Sequence, residues 1–241
     1  MGEVFVVSTP IGNLEDITLR AIRILKEVDL VACEDTRKTK ILFSRYGIRT
    51  PLTSFHEHNK IARSISLVKL LKENKKIALV SEAGTPGVSD PGFYLVRLAV
   101  KNNIKVVPIP GASAVLAGLA ASGLPTDCFT FYGFPPRKGK KKKEWLEKIR
   151  AETKTVVFYE SPHRLLDTLE GLIPAVQGRL IAVGRELTKK YEEIQRGTAE
   201  ELKEYFTSHS PRGEFVLVLA GNAYKNTESG RVNNKKSNIW Y

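Results

Sequence analysis

The chain has 241 residues, of which 42% are hydrophobic and 27% are charged. This composition is typical of a soluble globular protein, and the length suffices for one large domain or two small ones. No apolar run approaches the roughly 20 residues that cross a membrane, and the N-terminus lacks the basic start of a signal peptide. The composition therefore excludes a membrane-spanning protein and predicts a cytoplasmic one.

Basic residues are in excess and are unevenly distributed along the chain. Lysine and arginine number 38 against 26 acidic residues, which gives a formal net charge of +12. The stretch from Arg137 to Arg150 is strongly basic and follows the aromatic segment FTFYGFPP. Such a block is often only a solvated helix face, but this combination favours a nucleic-acid partner.

Strand and helix patterns alternate through the first half of the chain. The apolar run EVFVVS predicts a first strand, and helical spacing of apolar residues predicts a helix near 16–27. Further strands are predicted in DLVACE, LTSF, KIALVS and IKVVPI, and further helices in TRKTKILFSRYG, KIARSISLVKLLKEN, GFYLVRLAVKNN and ASAVLAGLAAS. This alternation favours parallel pairing through right-handed crossovers.

The segment SGLPTDC, residues 122–128, interrupts the alternation and is the predicted linker. It separates an N-terminal domain, 1–121, from a C-terminal domain, 129–221, in which a basic helix is expected over 141–152. Because the strand pattern is more varied there, we expect an α/β fold with a mainly parallel first sheet and a mixed second sheet. Residues 222–241 are polar without periodicity and are predicted to form a mobile tail.

The two cysteines, Cys33 and Cys128, lie far apart in the sequence. We expect both to be inert core thiols rather than a disulfide or a metal pair. The four histidines show no zinc-type spacing, so no metal is expected.

Three predicted strands of the first half end in unusual loops. These loops are STPIGNLEDIT (8–18), SEAGTPGVSDPG (81–92) and PIPGASA (108–114). In a parallel α/β sheet, ligands bind beyond the carboxyl ends of the strands, and glycines permit close backbone approach. One such loop could be a simple turn, but three at corresponding ends favour a cleft for a small ligand. The loops match neither the dinucleotide G-x-G-x-x-G pattern nor Walker A.

Eight motifs carry a resemblance to a known family. In chain order they are VVSTPIGNLEDITLRAI, ACEDTR, SFHEHN, SEAGTPGVSDPG, PGASA, GFPPRK, FYESPHRL and GRELTKKYEE. Together they span about residues 3–221 and resemble the tetrapyrrole-methylase-fold family, most closely its branch of ribosomal RNA methyltransferases. The resemblance implies a two-domain fold with the active cleft between the domains, S-adenosylmethionine as methyl donor, and a homodimer. It further implies 2′-O-methylation of cytidine 1402 in 16S ribosomal RNA, at the decoding centre of the 30S subunit.

The resemblance also implies which residues hold the methyl donor. The wider family's G-D-P loop corresponds to Gly84, Thr85 and Pro86, with Thr85 in place of the aspartate. By the same matching, the expected donor-binding residues are Pro10, Gly12, Gly84, Thr85, Pro86, Val88, Ser89, Asp90, Ala112, Ser113 and Ala114. An apolar lining with a few backbone donors suits adenine and a methionine chain.

Methyl transfer to a ribose hydroxyl needs an aligned oxygen and a group that removes or stabilises its proton. The predicted catalytic residues are Glu82, Glu186 and Lys189, with Glu34, Asp35 and Glu160 as further candidates. A lysine would need a lowered pKa to act as a base. Alternatively, Glu186 and Lys189 could form a surface ion pair, and Glu34 could cap the next helix.

RNA contact is predicted for the segment PPRKGKKKK, because lysine and arginine neutralise phosphates. The predicted RNA-binding residues are Arg37, Arg137, Lys138, Lys140, Lys141, Lys142, Lys143 and Arg164. Tyr132, Phe134 and Tyr159 could stack on an unstacked base, or they could belong to core strands.

Two other functions stay open at this stage. A small-molecule methyltransferase acting on a tetrapyrrole would share the donor loops, but the basic block and Thr85 argue against it. A non-catalytic RNA-binding assembly factor would keep the basic block without needing the glycine loops.

Overall fold

The computed structural model describes residues 2–224, which form two five-stranded sheets with helices on their faces. The first part of the chain contains β1 (Glu3–Val7), α1 (Leu19–Glu27), β2 (Leu30–Cys33), α2 (Thr36–Tyr46), β3 (Leu52–Ser54), α3 (Lys60–Lys72), β4 (Ile77–Leu79), α4 (Phe93–Lys101), β5 (Lys105–Ile109) and α5 (Ala114–Ser122). The second part contains β6 (Phe129–Phe131), α6 (Gly139–Ala151), β7 (Thr155–Glu160), α7 (Leu165–Val176), β8 (Ile181–Arg185), β9 (Glu193–Gly197), α8 (Ala199–Ser208) and β10 (Phe215–Leu219).

The first sheet is wholly parallel, in the order β3-β2-β4-β1-β5. The central strand β1 pairs on both sides, with Val4 opposite Ile77 of β4 and Val106 of β5. Helices α1 and α2 bury their apolar stripes on one face of the sheet, and α3 and α4 cover the other face. The parallel pairing predicted from the alternating pattern is confirmed.

The second sheet has the order β6-β7-β10-β8-β9. Strand β6 runs parallel to β7, and the remaining neighbours are antiparallel, which confirms the predicted mixed sheet. Helices α6, α7 and α8 pack on one face, where the Trp145 ring meets the Phe158 ring edge-on at 5.3 Å.

Helix α5 joins the two sheets. It follows β5 of the first sheet, yet its Val115 and Leu119 pack with Val216 and Val218 on the second sheet, opposite α6–α8. Gly118 lies directly on β10, where an added Cβ would stand 2.7 Å from Val216 Cγ1. The absence of a side chain at this position therefore sets how closely α5 approaches the sheet. The division into 1–121, 122–128 and 129–221 stays a prediction.

The structure also bears on the predictions made for the two cysteines and for the end of the chain. Cys33 is buried as expected, but Cys128 is exposed, so the expectation of a core thiol is wrong there. Cys128 lies in the surface connection that precedes β6, which explains its exposure. The tail predicted over 222–241 lies outside the described residues from 225 onward, whereas the Asn222 N–H donates to the Glu152 carbonyl at 2.9 Å. Across residues 2–224, every helix is too short or too polar to cross a membrane.

Gly118→Ala tests the close approach of α5. The substitution gains about 1 kcal/mol of helix propensity but forces Val216 to move, at a cost of about 1–3 kcal/mol. Gly171→Ala in α7 is the matched control, because its added Cβ meets only flexible side chains, at 3.6 Å and beyond. We expect Gly118→Ala to be clearly less stable than Gly171→Ala in urea unfolding. Equal stabilities would contradict the packing described for α5.

Candidate active site

The candidate site lies at the carboxyl ends of strands β1 and β4. They are neighbours in the sheet, but α1 and α4 leave them on opposite faces, which opens a crevice at their carboxyl ends. Two backbone hydrogen bonds join the loops there, from Thr9 N–H to the Gly84 carbonyl (2.9 Å) and from Gly84 N–H to the Thr9 carbonyl (3.0 Å). The hydroxyls of Ser8 and Thr85 are also 2.9 Å apart. The first and second loops therefore form one unit.

The loop after β4 is held in place by its own polar groups. Gly84 has a φ of +76°, which a glycine adopts without strain, and its carbonyl also accepts from the Ser81 hydroxyl at 3.1 Å. One carboxylate oxygen of Asp90 accepts from the N–H groups of Gly87 (2.7 Å) and Gly92 (2.6 Å). Burial raises the pKa of Asp90, and these two hydrogen bonds oppose that rise. Asp90 thus acts in the structure as a brace within the loop.

A cavity of about 620 Å³ lies against the three loops. It is lined by Val6, Ser8, Thr85, Val88, Pro108, Ile109, Pro110, Gly111, Ser113, Val115, Leu116, Phe129 and Phe131. The lining is mostly apolar, with three hydroxyl groups, and the size is that of a small-ligand site. Gly111 lets the third loop approach the first closely, because a Cβ added to Gly111 would stand only 3.0 Å from Ser8 Cβ.

The cavity combines expected and unexpected residues. Among the expected donor-binding residues, Thr85, Val88 and Ser113 line it. The others stand elsewhere in the same three loops: Pro10, Gly12, Gly84, Pro86, Ser89, Asp90, Ala112 and Ala114. Phe129 and Phe131, which the sequence analysis did not assign to the site, bring the second sheet to the cavity. Their spacing in the strand FTF could have indicated a shared surface, because side chains two residues apart in a strand point to the same face.

Lys189 lies at the centre of a charged group. Its ammonium donates to Glu186 Oε1 and to Glu214 Oε2, both at 2.9 Å. Burial lowers the pKa of Lys189, but the two carboxylates outweigh burial and raise the pKa overall. The side chain is therefore held protonated, and the lowered pKa that a base would need is not found.

The same segment touches the first loop of the N-terminal sheet. The Asn13 N–H donates to the Thr188 hydroxyl at 3.1 Å, and a Cβ added to Gly12 would overlap the Lys189 side chain. Glu186 and Thr188 both have positive φ, at 48° and 67°. Non-glycine residues adopt this region at a cost, so the surrounding contacts must hold it.

Glu82 lies at the start of the loop after β4. Its carboxylate accepts from the Lys38 ammonium at 2.5 Å, and this bond is the main cause that raises the pKa of Lys38. The predicted catalytic residues thus fall into two groups, Glu186 and Lys189 with Glu214, and Glu82 with Lys38. The partners Lys38 and Glu214 were not predicted from the sequence. No local signal marks Glu214, because its neighbours in space come from distant segments.

The remaining carboxylates have different surroundings. Burial, and then the charges of Glu82 and Asp90, raise the pKa of Glu34, so it favours the protonated form more than a free glutamate does. Asp35 caps α2 and pairs with the Arg37 guanidinium at 2.8 Å, which holds its pKa well below the usual range. Glu160 is buried and accepts from the Thr168 hydroxyl at 2.6 Å and from Arg164 at 2.7 Å, which gives it a structural role.

The basic block lies at the start of α6. Arg137 and Lys138 precede the helix and are exposed, and Lys140, Lys141 and Lys143 are exposed in its first turns. Lys142 is partly buried, and its ammonium donates to the Asp167 carbonyl at 3.3 Å. Arg37 is exposed but paired with Asp35, as described above. Apart from its bond to Glu160, the Arg164 guanidinium donates to the Pro135 carbonyl at 3.1 Å and so braces the GFPP loop.

The three aromatic candidates are not equivalent. The Tyr132 hydroxyl donates to Glu152, and the Tyr159 ring packs between Phe131 and Phe134, at centroid distances of 5.1 and 5.4 Å. Phe134 is 53% exposed, in the segment that leads into the basic block. Of the three, Phe134 alone presents a ring largely open to solvent.

The family model and the relatives described next identify the chain as a methyltransferase. A family model for tetrapyrrole (corrin/porphyrin) methylases matches residues 3–203, so the chain belongs to the tetrapyrrole methylase family.

Three similar relatives bear the same name. Ribosomal RNA small subunit methyltransferase I of Halalkalibacterium halodurans is 50% identical over 224 residues, covering 93% of this chain and 78% of the relative. The proteins of that name from Bacillus subtilis and Escherichia coli O157:H7 are 50% and 44% identical, covering 92% and 91% of this chain and 76% and 78% of theirs. These matches confirm the branch that the eight motifs indicated.

Solved structures show the same fold at lower identity. A diphthine synthase has a TM-score of 0.72 at 17% identity, covering 91% of this chain and 90% of its own. A uroporphyrin-III C-methyltransferase from Thermus thermophilus, complexed with S-adenosylhomocysteine, has a TM-score of 0.64 at 19% identity, covering 92% and 98%.

Lys189→Met tests the group formed by Lys189, Glu186 and Glu214. Burial raises the pKa of Glu186, but bonds from Lys189 and the Glu214 N–H lower it overall, so its stabilising effect is present above pH 4.3 and lost as acid protonates the group. We expect Lys189→Met to cost about 1–2 kcal/mol at pH 7, and the difference from wild type to shrink below about pH 4.

The matched control is Lys190→Met, which removes the same charge at an exposed neighbouring position. It should leave the free energy of unfolding within about 0.5 kcal/mol of wild type at both pH values. A pH-independent loss in Lys189→Met, measured by urea unfolding, would show that packing and not charge is the cause.

Proposed function

We propose that this chain transfers the methyl group of S-adenosylmethionine to the 2′-oxygen of cytidine 1402 in 16S ribosomal RNA. The observation that carries the proposal is the 44–50% identity to relatives named ribosomal RNA small subunit methyltransferase I, over about nine tenths of the chain. The nucleotide and the 2′-oxygen come from the family resemblance of the motifs. We further propose that the protein acts in the cytoplasm, as a homodimer, on the 30S subunit.

The cavity fits the proposed methyl donor. Its volume of about 620 Å³ and its largely apolar wall suit an adenine ring and a methionine chain. The hydroxyls of Ser8, Thr85 and Ser113 supply the few polar groups that would fix the orientation. When bound, S-adenosylmethionine supplies an electrophilic methyl group on a sulfonium.

The charged residues beside the first two loops can accept the proton of the ribose hydroxyl and stabilise the negative charge that develops on its oxygen. Lys189 is held protonated by Glu186 and Glu214, so we assign it to stabilise negative charge on the ribose oxygen. Glu82 is the carboxylate on the N-terminal side, and we assign it as the proton acceptor. Glu186 is assigned as the group that positions Lys189. This division of roles follows from the raised pKa of Lys189, which disfavours the lysine itself as the base.

RNA would approach from the side of the GFPP loop and the basic block. An added Cβ on Gly133 would stand 3.3 Å from the Ser89 hydroxyl, so this loop lies directly on the loop after β4. The exposed cations of residues 137–143 can bind phosphates, and Phe134 can stack on an unstacked base. Arg37 and Arg164 already pair with carboxylates, so a phosphate would compete with those pairs. Phosphate contact by these two residues stays a prediction.

Transfer of a labelled methyl group tests the reaction and the substrate together. Purified protein and labelled S-adenosylmethionine are incubated with 30S subunits that lack the modification, and the label is mapped by nuclease protection and mass spectrometry. We expect a single 2′-O-methylcytidine at position 1402. Donor binding without transfer would favour a small-molecule methyltransferase, and RNA binding without donor binding would favour an assembly factor.

Gly84→Ala tests the donor loop. Its φ of +76° strains any residue with a Cβ by about 1–2 kcal/mol, which would displace the loop against the cavity. Gly47→Ala is the matched control, because Gly47 also has a positive φ (+59°) but ends α2 in open space. Both variants should lose similar stability, and only Gly84→Ala should lose affinity for S-adenosylmethionine in calorimetry, by about tenfold or more. Equal donor affinity in the two variants would remove Gly84 from the site.

A further inference from the structure

A second open cavity, of about 630 Å³, lies outside the proposed active site. We name it the α2 groove. It is lined by Thr36, Lys40, Phe43, Ser44, Ile48, Arg49, Thr50, Pro51 and Leu52. These residues come from one side of α2 and from the segment that leads into β3, the edge strand of the first sheet. The groove therefore follows α2 over most of its length.

The α2 groove carries two free positive charges. Lys40 and Arg49 are exposed, and neither forms an ion pair with any residue of the described part of the chain. Neighbouring cations differ, since Arg37 pairs with Asp35 and Lys38 pairs with Glu82. The lining contains no carboxylate. The exposed hydroxyl of Ser44 adds a polar group between the two cations.

The α2 groove begins at the edge of the first sheet where the proposed active site lies. Its first residue, Thr36, begins α2 at the carboxyl edge of the first sheet, and Lys38 in the same helical turn bonds Glu82. From there the groove runs along α2 to Arg49 at the other edge of the sheet. An extended chain whose target nucleotide lies in the cleft could thus continue into the groove.

An RNA strand is the occupant that these features favour. Unpaired cations and hydroxyls without carboxylates are complementary to phosphodiesters, which proteins bind through lysine, arginine and serine. Pairing with the edge strand of a second copy is disfavoured, because β3 has three residues and follows Pro51.

We propose that the α2 groove binds backbone phosphates of the RNA substrate through Lys40 and Arg49. The inference rests on the proposed function, since it takes ribosomal RNA as the substrate. It adds a second phosphate-binding surface on the N-terminal sheet, separate from the basic block before and within α6. The two surfaces would hold the RNA on both sides of the cleft, which fixes the register of the target nucleotide.

The test compares two double variants of the full-length protein. Lys40→Ala/Arg49→Ala removes the two groove charges. Arg97→Ala/Lys101→Ala removes two exposed charges from α4, on the opposite face of the sheet, that form no ion pair within residues 2–224. Binding to 30S subunits lacking the modification is measured as a function of salt, and S-adenosylmethionine affinity is measured in parallel.

We expect the groove variant to bind these subunits roughly 25-fold more weakly at 0.1 M salt, with a salt-dependence slope smaller by about 1.4, the value for two phosphate contacts to a single strand. The α4 variant should bind like wild type, and both should keep their donor affinity. Equal losses in the two variants would overturn the proposal, because net charge alone would then be responsible.

Two further outcomes would also overturn it. If the groove variant binds RNA normally but changes its mass in light scattering, the groove is a contact between copies of this chain. If wild type binds the donor but not the 30S subunit, the proposed function fails, and the groove inference fails with it. The wild-type measurement thus separates failure of the function from failure of the groove.

Discussion

The pair of backbone hydrogen bonds between Thr9 and Gly84 is the constraint on which the site depends. These bonds join the loops that follow β1 and β4, where the chain turns to opposite faces of the sheet. Each bond contributes only about 1 kcal/mol net, but together they fix the first and second loops relative to each other. The hydroxyl pair of Ser8 and Thr85 and the brace around Asp90 follow from that placement. These backbone bonds therefore position the loops whose side chains line part of the cavity.

A second constraint brings the two sheets together. The close contact of Gly118 with Val216 lets α5, which begins in the third loop, lie on the second sheet. Since the third loop and α5 are continuous, this packing also places Phe129 and Phe131 beside the cavity. On the far side, Asn13 and Thr188 make a direct hydrogen bond between the two halves. The two halves thus meet at both ends of the site, and each contributes part of its wall.

The strands, the helices and the three loops could be predicted from the sequence, because each is marked by a pattern of neighbouring residues. The period of apolar residues gave the strands and helices, and glycines at strand ends marked the three loops. The pairing of Lys38 with Glu82 and of Lys189 with Glu214 could not be predicted, because the partners of each pair are many residues apart in the chain. The sequence could not distinguish Phe134 from Tyr159, because only the three-dimensional packing shows that the Tyr159 ring is partly buried between Phe131 and Phe134 while Phe134 is exposed.

The long-range pairs also change how the chemistry is divided among the residues. From the sequence, Lys189 could have been a base with a lowered pKa or a cation with a raised one. Two carboxylates within hydrogen-bonding distance select the cation, because together they favour the charged ammonium by more than burial disfavours it. A fixed positive charge in a partly buried position lowers the energy of an anion formed nearby. In the proposed reaction a carboxylate therefore removes the proton, and we assign that role to Glu82, which pairs with Lys38 beside the loop after β4.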